Sequence, residues 1–341
     1  MNSEARIKAF AALGAFLGES NNRDETEALF HRAHHHNAWF TPENCRLACD
    51  AWSEQLTIEN LSTWLRPYNI PAENKNPRRI GLVMAGNIPL VGFHDLLCVL
   101  IHGDRAVVKL SSDDKILPEF IIKKLQETEP GFSGYITITD RLSDYDAVIA
   151  TGSNNTARYF EYYFRNHPSI IRKNRNSAAV LDGNESPEEL QQLGREVFQY
   201  FGLGCRNVSK LYLPRGYDIG EFYRPMESQA QVADHHKYMN NYTFHKALFL
   251  MDQVQHLDNG FLLLKEENTT HSPMAVMHYE YYDSPAVLNE ALKAKKEELQ
   301  CIVSHNVAIE SRVPFGKAQE PALNDYADGV DTISFLQSLP R

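Results

Sequence analysis

The sequence has no disulfide framework, no long uninterrupted apolar run, no excess of basic charge and no internal repeat. Its five cysteines are an odd number, scattered apart from the Cys45/Cys49 pair, a usage that suits a reducing compartment. Asp plus Glu number 44 against 34 for Lys plus Arg. Such acidity argues against a general nucleic-acid or anionic-membrane surface. The longest apolar stretch, residues 88–101, is broken by His94 and Asp95 and is too short to span a bilayer. Residues 1–19 have an amphipathic helix pattern and lack the continuous apolar core of a signal peptide. These absences predict a cytoplasmic protein with no nucleic-acid partner and no stable membrane insertion. The G-x-G-x-x-G dinucleotide fingerprint is missing as well. At 341 residues the chain has room for about two domains.

What is present centres on residues 201–210, Phe-Gly-Leu-Gly-Cys-Arg-Asn-Val-Ser-Lys. A strong helix signal precedes it. Ser186 and Glu189 have capping-box spacing, Pro187 suits the first helical position, and Leu190, Leu193, Val197 and Phe201 recur at helical intervals. Gly202 is placed to end that helix in a left-handed conformation, and residues 208–214 read as a short buried strand. Cys205 therefore falls on a glycine-flanked turn between two packed elements. Most cysteines are small buried hydrophobes. A thiolate nucleophile needs access and a nearby N–H for the oxyanion it creates, and this turn offers both.

The rest of the chain alternates between helix and strand. Residues 1–70 read as helices over 11–17, 25–33 and 41–65. Cys45 and Cys49, four apart, share a helical face; zinc sites use tighter pairs, so no metal is expected there or at residues 34–36, a His run. Residues 80–110 form a βαβ unit: strand 80–85, the turn Gly86-Asn87-Ile88-Pro89, helix 90–102 and strand 105–110. Where a standard site places an acid for the ribose, Lys109 stands with Ser111 and Ser112. That set suits a 2′-phosphate, hence NADP; a surface lysine at a strand end is the plainer reading. Helix 117–127 and strands 135–139 and 147–150 follow. The second of these strands delivers Thr151-Gly152-Ser153 to a helix over 157–166, either an anion site or an ordinary capped start. Strands are expected at 170–174 and 177–181, with the basic segment Arg172-Lys173-Asn174-Arg175 between them. Later strands are read at 211–213, 247–251, 261–265, 275–279, 301–304 and 332–336, with a helix over 286–299. His235, His236 and His245 lie in a polar aromatic stretch and read chiefly as surface or packing residues, with acid–base roles open.

In their order and spacing these segments resemble the aldehyde dehydrogenase superfamily, and within it the LuxC-like acyl-CoA (fatty-acid) reductases. The likeness spans about Ile80 to Leu336. Gly86-Asn87-Ile88-Pro89 resembles the Asn-x-Pro turn whose amide helps the nucleophile's own N–H hold the oxyanion. Val108-Lys109-Leu110-Ser111 is similar to the Lys-Pro-Ser ribose segment, Thr151-Gly152-Ser153 to the Thr-Gly-Ser turn near the pyrophosphate, and Gly202-Leu203-Gly204-Cys205 to the Gly-Gln-x-Cys nucleophile turn. Val313-Pro314-Phe315-Gly316 resembles the Pro-Phe-Gly turn. The resemblance implies an α/β, aldehyde dehydrogenase-like fold: a helical N-terminal segment (1–75), a Rossmann-type cofactor domain (76–174), an α/β catalytic domain (175–312) and a C-terminal segment (313–341). It implies Cys205 and Asn87 as catalytic residues, and Lys109, Ser111, Gly152, Ser153 and Phe315 as cofactor-binding residues.

Two departures carry meaning. Where hydrolytic members have Glu-Leu-Gly-Gly, this chain has Ile171-Arg172-Lys173-Asn174, so the glutamate that activates water is missing. The Glu-x-Phe-Gly-Pro segment is also absent; Thr269-Thr270-His271 precede Ser272-Pro273. An acyl-cysteine without a water-activating base survives for another fate. The resulting expectation is NADPH-dependent reduction of an acyl-CoA, or another acyl thioester, to the aldehyde, with Arg172, Lys173 and Arg175 as candidates for the coenzyme A phosphates. A homo-oligomer or an acyl-donor protein are the partners to consider. The alternatives are an aldehyde dehydrogenase working in the oxidising direction, a cysteine-dependent acyltransferase or thioesterase, and a binding protein with dead chemistry on the same fold.

Overall fold

The structure, a computed structural model, describes residues 1–340. The chain divides into two compact units: Met1–Asn174 together with the chain from Ala322 onward, and Arg175–Pro321.

The first unit opens with four helices, α1 (Ser3–Gly18), α2 (Arg23–His36), α3 (Pro42–Gln55) and α4 (Ile58–Leu65). Asn2 caps α1 by accepting the Ala5 N–H at 2.7 Å, and Phe10 and Leu13 are fully buried. Buried Arg6 donates to the carbonyls of Met1, Pro71 and Ile101, which fastens α1 to the end of α5 (Phe93–His102). The helix read across residues 41–65 is thus two helices. Thr57 caps the second by accepting the Asn60 N–H, a break set by local cap chemistry within a continuous apolar pattern.

Around α5 the chain alternates through β1 (Arg79–Val83), β2 (Arg105–Lys109), α6 (Ile116–Thr128), β3 (Ile136–Ile138), β4 (Ala147–Thr151), α7 (Asn154–Phe164) and β5 (Ser169–Arg172). The five strands are parallel, in the order β3-β2-β1-β4-β5. Ile80, Leu82, Ala106, Val108 and residues 147–150 are buried, the unbroken apolar pattern of strands covered on both faces. From β1 the winding proceeds outward through β2 and β3, then resumes on the other side at β4. That reversal is a topological switch point, and open α/β sheets bind ligands beyond the carboxyl ends of the strands at such a point.

The second unit contains β6 (Asn176–Val180), α8 (Pro187–Phe198), β7 (Val208–Pro214), α9 (Ile219–Met226), α10 (His236–Met251), β8 (Leu257–Asp258), β9 (Leu263–Glu266), β10 (Val276–Tyr282), α11 (Pro285–Ala294), β11 (Leu299–Val303) and β12 (Arg312–Val313). They form a seven-stranded sheet in the order β12-β11-β6-β7-β10-β9-β8, in which only β8 runs antiparallel to its neighbour. The final helix, α12 (Thr332–Ser338), belongs to the first unit.

Two expected strands are helices. Residues 247–251, Ala-Leu-Phe-Leu-Met, are the last turns of α10. A short apolar run has no periodicity to separate strand from helix, and this one lacks β-branched residues. Residues 332–336 lie in α12, where Asp331 accepts the Ser334 N–H at 2.9 Å. That cap overrides the β propensity of Thr332 and Ile333. No helix among the described residues is long and apolar enough to cross a membrane.

Candidate active site

The Cys205 turn is built from α8 upward. Ser186 accepts the Glu189 N–H and the Glu189 carboxylate accepts the Ser186 N–H at 2.8 Å, a complete capping box with Pro187 in the first turn. Leu190, Leu193 and Val197 are buried. The helix ends at Phe198, earlier than the apolar spacing suggested. Tyr200 (φ 52°), Phe201 (φ 58°) and Gly202 (φ 77°) then follow one another in the left-handed region. Only the glycine is relaxed there; each L-residue costs about 1–2 kcal/mol. Non-glycine residues persist in such conformations where the surroundings over-determine them, commonly at functional sites.

Asn207 supplies that constraint. It is 3% exposed. Its Nδ2 donates to the carbonyls of Glu196 (2.9 Å) and Gln199 (2.8 Å), and its Oδ1 accepts the Gly204 N–H at 2.8 Å. Its own N–H donates to the Gly204 carbonyl at 3.0 Å. One side chain thus satisfies orphan carbonyls at the end of α8 and fixes the residue before Cys205. From β6, the Ser177 hydroxyl donates to the Cys205 carbonyl at 3.0 Å. Arg206 donates to the Ala318 carbonyl at 3.3 Å, while buried Glu196 accepts the Ala318 N–H at 2.8 Å. Burial pushes the Glu196 carboxyl up to about 7 despite the backbone N–H groups around it. His235 caps α10, accepting the Tyr238 N–H, and its ring lies 4.2 Å from that of Phe201.

Cys205 itself is half-buried, whereas Cys45, Cys49, Cys98 and Cys301 are buried. Burial pushes the Cys49 thiol up to about 12 and raises those of Cys45 and Cys98 as well. Those three are poor nucleophiles, since reactivity requires the thiolate.

In the first unit, the Asn87 turn rests on the segment after β2. A Cβ on Gly86 would lie 2.5 Å from Ser111 Oγ and 2.8 Å from the Asp114 nitrogen, so only glycine allows this approach. Leu90 (φ 58°) donates its N–H to Asp114 Oδ2 at 2.8 Å. Asp114 is buried, and burial pushes its carboxyl up to about 7 although that N–H opposes the shift. The structure therefore brings the turn of Asn87, an exposed residue, together with Ser111. Lys109 ends β2, is exposed, and has no side-chain hydrogen bond or ion pair to the other described residues. Ser153 caps α7 by accepting the Thr156 N–H at 3.3 Å. At Gly152 a Cβ would meet Thr156 and Phe160 at 3.0 Å. Phe315 is buried in the second unit, its ring 5.9 Å from that of His305.

The three cations of the basic segment, the candidates for the coenzyme A phosphates, are each engaged by groups of the protein. Arg172 is buried. It donates to both Asp95 oxygens (2.8 and 3.2 Å), to the Ala327 carbonyl and to the Thr332 hydroxyl. Lys173 pairs with Glu161 at 2.8 Å, and Arg175 donates to the carbonyls of Lys296 and Leu299. An arginine spaced among other cations reads as surface; the half-buried carboxylate that claims it, Asp95, is far away in sequence.

A cleft of about 720 Å³ opens at the carboxyl ends of β6 and β7, lined by Asp182, Glu185, Leu190, Arg215, Tyr217 and Arg224 among others. The Cys205 turn enters β7 at its opposite end, roughly 20 Å away for a strand of this length, so the cleft is separate from the thiol. Beside the cleft, His305 Nε2 lies 3.0 Å from Asp182 and Nδ1 2.9 Å from Glu189. Asp182, Glu185 and His305 have the spacing of metal ligands, yet both ring nitrogens already face carboxylates. Burial opposes the charge on His305, but these hydrogen bonds outweigh it and hold the imidazolium above its ordinary range.

Sequence reasoning placed Cys205 on its turn but gave no role to Asn207, Ser177, Asp114 or Glu196. The only local signal was the Asn two residues beyond the cysteine.

No protein-family model and no curated protein matches the sequence. Solved structures match in shape. One is an NAD-dependent benzaldehyde dehydrogenase from Corynebacterium glutamicum, with TM-score 0.68 and 12% identity over 91% of this chain and 80% of that one. Another is an NAD-dependent aldehyde dehydrogenase from Sinorhizobium meliloti, with TM-score 0.64 and 10% identity over 95% and 72%. A third, Mycobacterium tuberculosis aldehyde dehydrogenase complexed with NAD+, gives TM-score 0.61 and 14% identity over 85% and 71%. The chain has the fold of the aldehyde dehydrogenases.

Proposed function

We propose that the protein is an NADPH-dependent acyl-CoA reductase that carries the acyl group on Cys205 and releases it as an aldehyde. The observation that carries this reading is the Cys205 turn, a half-buried thiol held at the start of β7 by Asn207 and Ser177. The fold is one used for aldehyde chemistry by the solved enzymes it resembles.

In the first half-reaction the Cys205 thiolate attacks the thioester carbonyl and the π pair moves to oxygen. The oxyanion re-forms its carbonyl as coenzyme A leaves as a thiolate, and the acyl group stays on Cys205. Asn87 and the Cys205 N–H are assigned as oxyanion donors, following the resemblance of their turns. NADPH, when bound, supplies a hydride to the acyl carbon. In the second half-reaction Cys205 is the leaving group: the thiohemiacetal oxyanion re-forms its carbonyl and expels the thiolate, giving the aldehyde.

The first unit offers residues that fit a nicotinamide dinucleotide. Its switch point lies at the carboxyl ends of β1 and β4, beside turns where a Cβ at Gly86 would clash and one at Gly152 would crowd Thr156 and Phe160. Lys109 is an exposed cation at the neighbouring strand end, and with Ser111 it is assigned to the 2′-phosphate side of NADPH.

The reductive direction is supported by what stands where hydrolytic relatives carry their glutamate. Ile171 is there, followed by an Arg172 already claimed by Asp95. Neither can activate water, so the acyl-cysteine waits for hydride. A medium- or long-chain acyl-CoA mixed with protein and NADPH is expected to give equal amounts of oxidised cofactor, free coenzyme A thiol and hydrazine-trapped aldehyde. NAD+ reduction with free aldehyde and water, without any acyl-CoA-dependent NADPH oxidation, would instead assign the oxidising direction.

A further inference from the structure

Both sheet ladders that flank β6 are irregular at one residue, Ser177. Toward β7, Ser177 pairs with Val208 but Ala178 pairs with Lys210, so one residue of β7 is extra. Toward β11, Asn176 pairs with Leu299 but Ala178 with Ile302, so one residue of β11 is extra there too. Side chains alternate faces along a strand, and an inserted residue re-aims them; such bulges recur beside active sites. Here the result is a buried polar chain. Ser177, 0% exposed, donates to the Cys205 carbonyl at 3.0 Å, and its hydroxyl lies 2.9 Å from the sulfur of Cys301, which is 8% exposed.

A serine hydroxyl has one proton. With that proton on the Cys205 carbonyl, the Ser177 oxygen is left as an acceptor, and the Cys301 S–H donates to it. The chain then runs Cys301 S–H to Ser177 O–H to Cys205 C=O. It fixes the peptide after the nucleophile, while Asn207 fixes the peptide before it through the Gly204 N–H and carbonyl. Holding both flanking peptides sets φ and ψ at Cys205, and with them the direction of Sγ relative to its own N–H.

We infer that Ser177 and Cys301 are positioning residues for Cys205, with Cys301 acting as a thiol donor that locks the Ser177 hydroxyl onto the Cys205 carbonyl. The role requires Cys301 to remain a protonated thiol. A cysteine two strands away thus supports the reacting one without touching substrate. The inference rests on Cys205 being the nucleophile of the proposed reaction, but its test needs neither substrate nor cofactor.

The test is the rate at which iodoacetamide alkylates Cys205, mapped by peptide mass spectrometry, in the wild type and in Ser177→Ala, Ser177→Thr, Cys301→Ala and Cys301→Ser. Losing one net hydrogen bond at the reacting residue is expected to change the rate by roughly three- to tenfold. Ser177→Ala and Cys301→Ala are therefore expected to react differently from the wild type by that factor, with the melting temperature measured alongside. Ser177→Thr and Cys301→Ser, which keep the donors, are expected to restore the wild-type rate. A rescue that follows the donor and not the melting temperature separates positioning from bulk stability. Equal Cys205 rates in Ser177→Ala and wild type would overturn the inference. Should Ser177→Ala not fold, the Cys301 pair decides: equal rates in Cys301→Ala and Cys301→Ser overturn it, and unequal rates sustain it. If the alkylation pattern holds but no acyl-CoA ever labels Cys205, the positioning survives and the acyl-CoA assignment falls.

Discussion

The turns that carry Asn87 and Cys205 meet the same backbone problem with different chemistry. Each passes through left-handed residues that are not glycine, Leu90 in the first and Tyr200 and Phe201 in the second. Each is fastened by side chains buried beneath it. The Asn87 turn hangs on a carboxyl: Asp114 takes the Leu90 N–H with one oxygen, and its other oxygen is buried with no hydrogen-bond partner among the described residues. The Cys205 turn hangs on an amide and a hydroxyl, Asn207 and Ser177. A buried carboxyl changes charge with pH; an amide and a hydroxyl do not. The Cys205 turn is therefore held by two side chains that do not titrate, while the Asn87 turn is coupled to a titrating group. Glu196 titrates near the Cys205 turn too, but it spends its carboxylate on Ala318 and offers Asn207 only its main-chain carbonyl.

The comparison breaks most visibly in catalysis. Asn87→Ala is expected to lower turnover by roughly 10²–10³, the typical loss of one oxyanion donor. Steady-state rates beside a thermal melt check it; equal activity would remove Asn87 from the reaction. The next effect is on stability. Asn207→Ala leaves the Gly204 N–H and two helix-end carbonyls without their buried partner, at about 1–3 kcal/mol for each group left unsatisfied. Denaturant unfolding should show a loss of that order, with the same size at pH 5.5 and 7.5.

The smallest effect sharpens the contrast. The Asp114 carboxyl stands at about 7 in the folded chain against an ordinary 3.8. The folded state thus holds a proton that the unfolded state releases between these values. The stabilisation is complete below about pH 4 and is lost as pH rises through 7, with a limiting slope of about 1.4 kcal/mol per pH unit. Glu196 acts with the same sign. Asp114→Asn should flatten the decline of unfolding free energy between pH 5 and 7 and leave the Glu196 share. An unchanged slope would mean that Asp114 is ionised in the folded protein.

What was legible in the sequence follows the range of the forces involved. The capping box of Ser186 and Glu189, the buried stripe of α8, the strand at 208–214 and Gly202 at the turn are all local, and each shows in residue type and spacing. The βαβ alternation of residues 80–151 is local in the same sense. The clamps on the site were not legible because their partners are distant. Ser177 and Cys301 are 124 residues apart, and Asp95 lies 77 residues before Arg172. Asn207 is close in sequence to the carbonyls it binds, but that bond forms only because Tyr200 and Phe201 turn left-handed, which their side chains do not advertise. The two misread strands failed for a related reason: residues 247–251 and 332–336 are short apolar runs whose neighbours, a long helix and the Asp331 cap, decide their form.

Acylation of Cys205 is tested most directly by intact-protein and peptide mass spectrometry of the protein mixed with a long-chain acyl-CoA, quenched before and after addition of NADPH. A gain of one acyl group is expected on the peptide containing Cys205, none in Cys205→Ala, and loss of the adduct with aldehyde release once NADPH is present. An adduct that ignores NADPH would make the protein an acyltransferase or thioesterase, and no adduct with any acyl thioester would contradict Cys205 as the nucleophile.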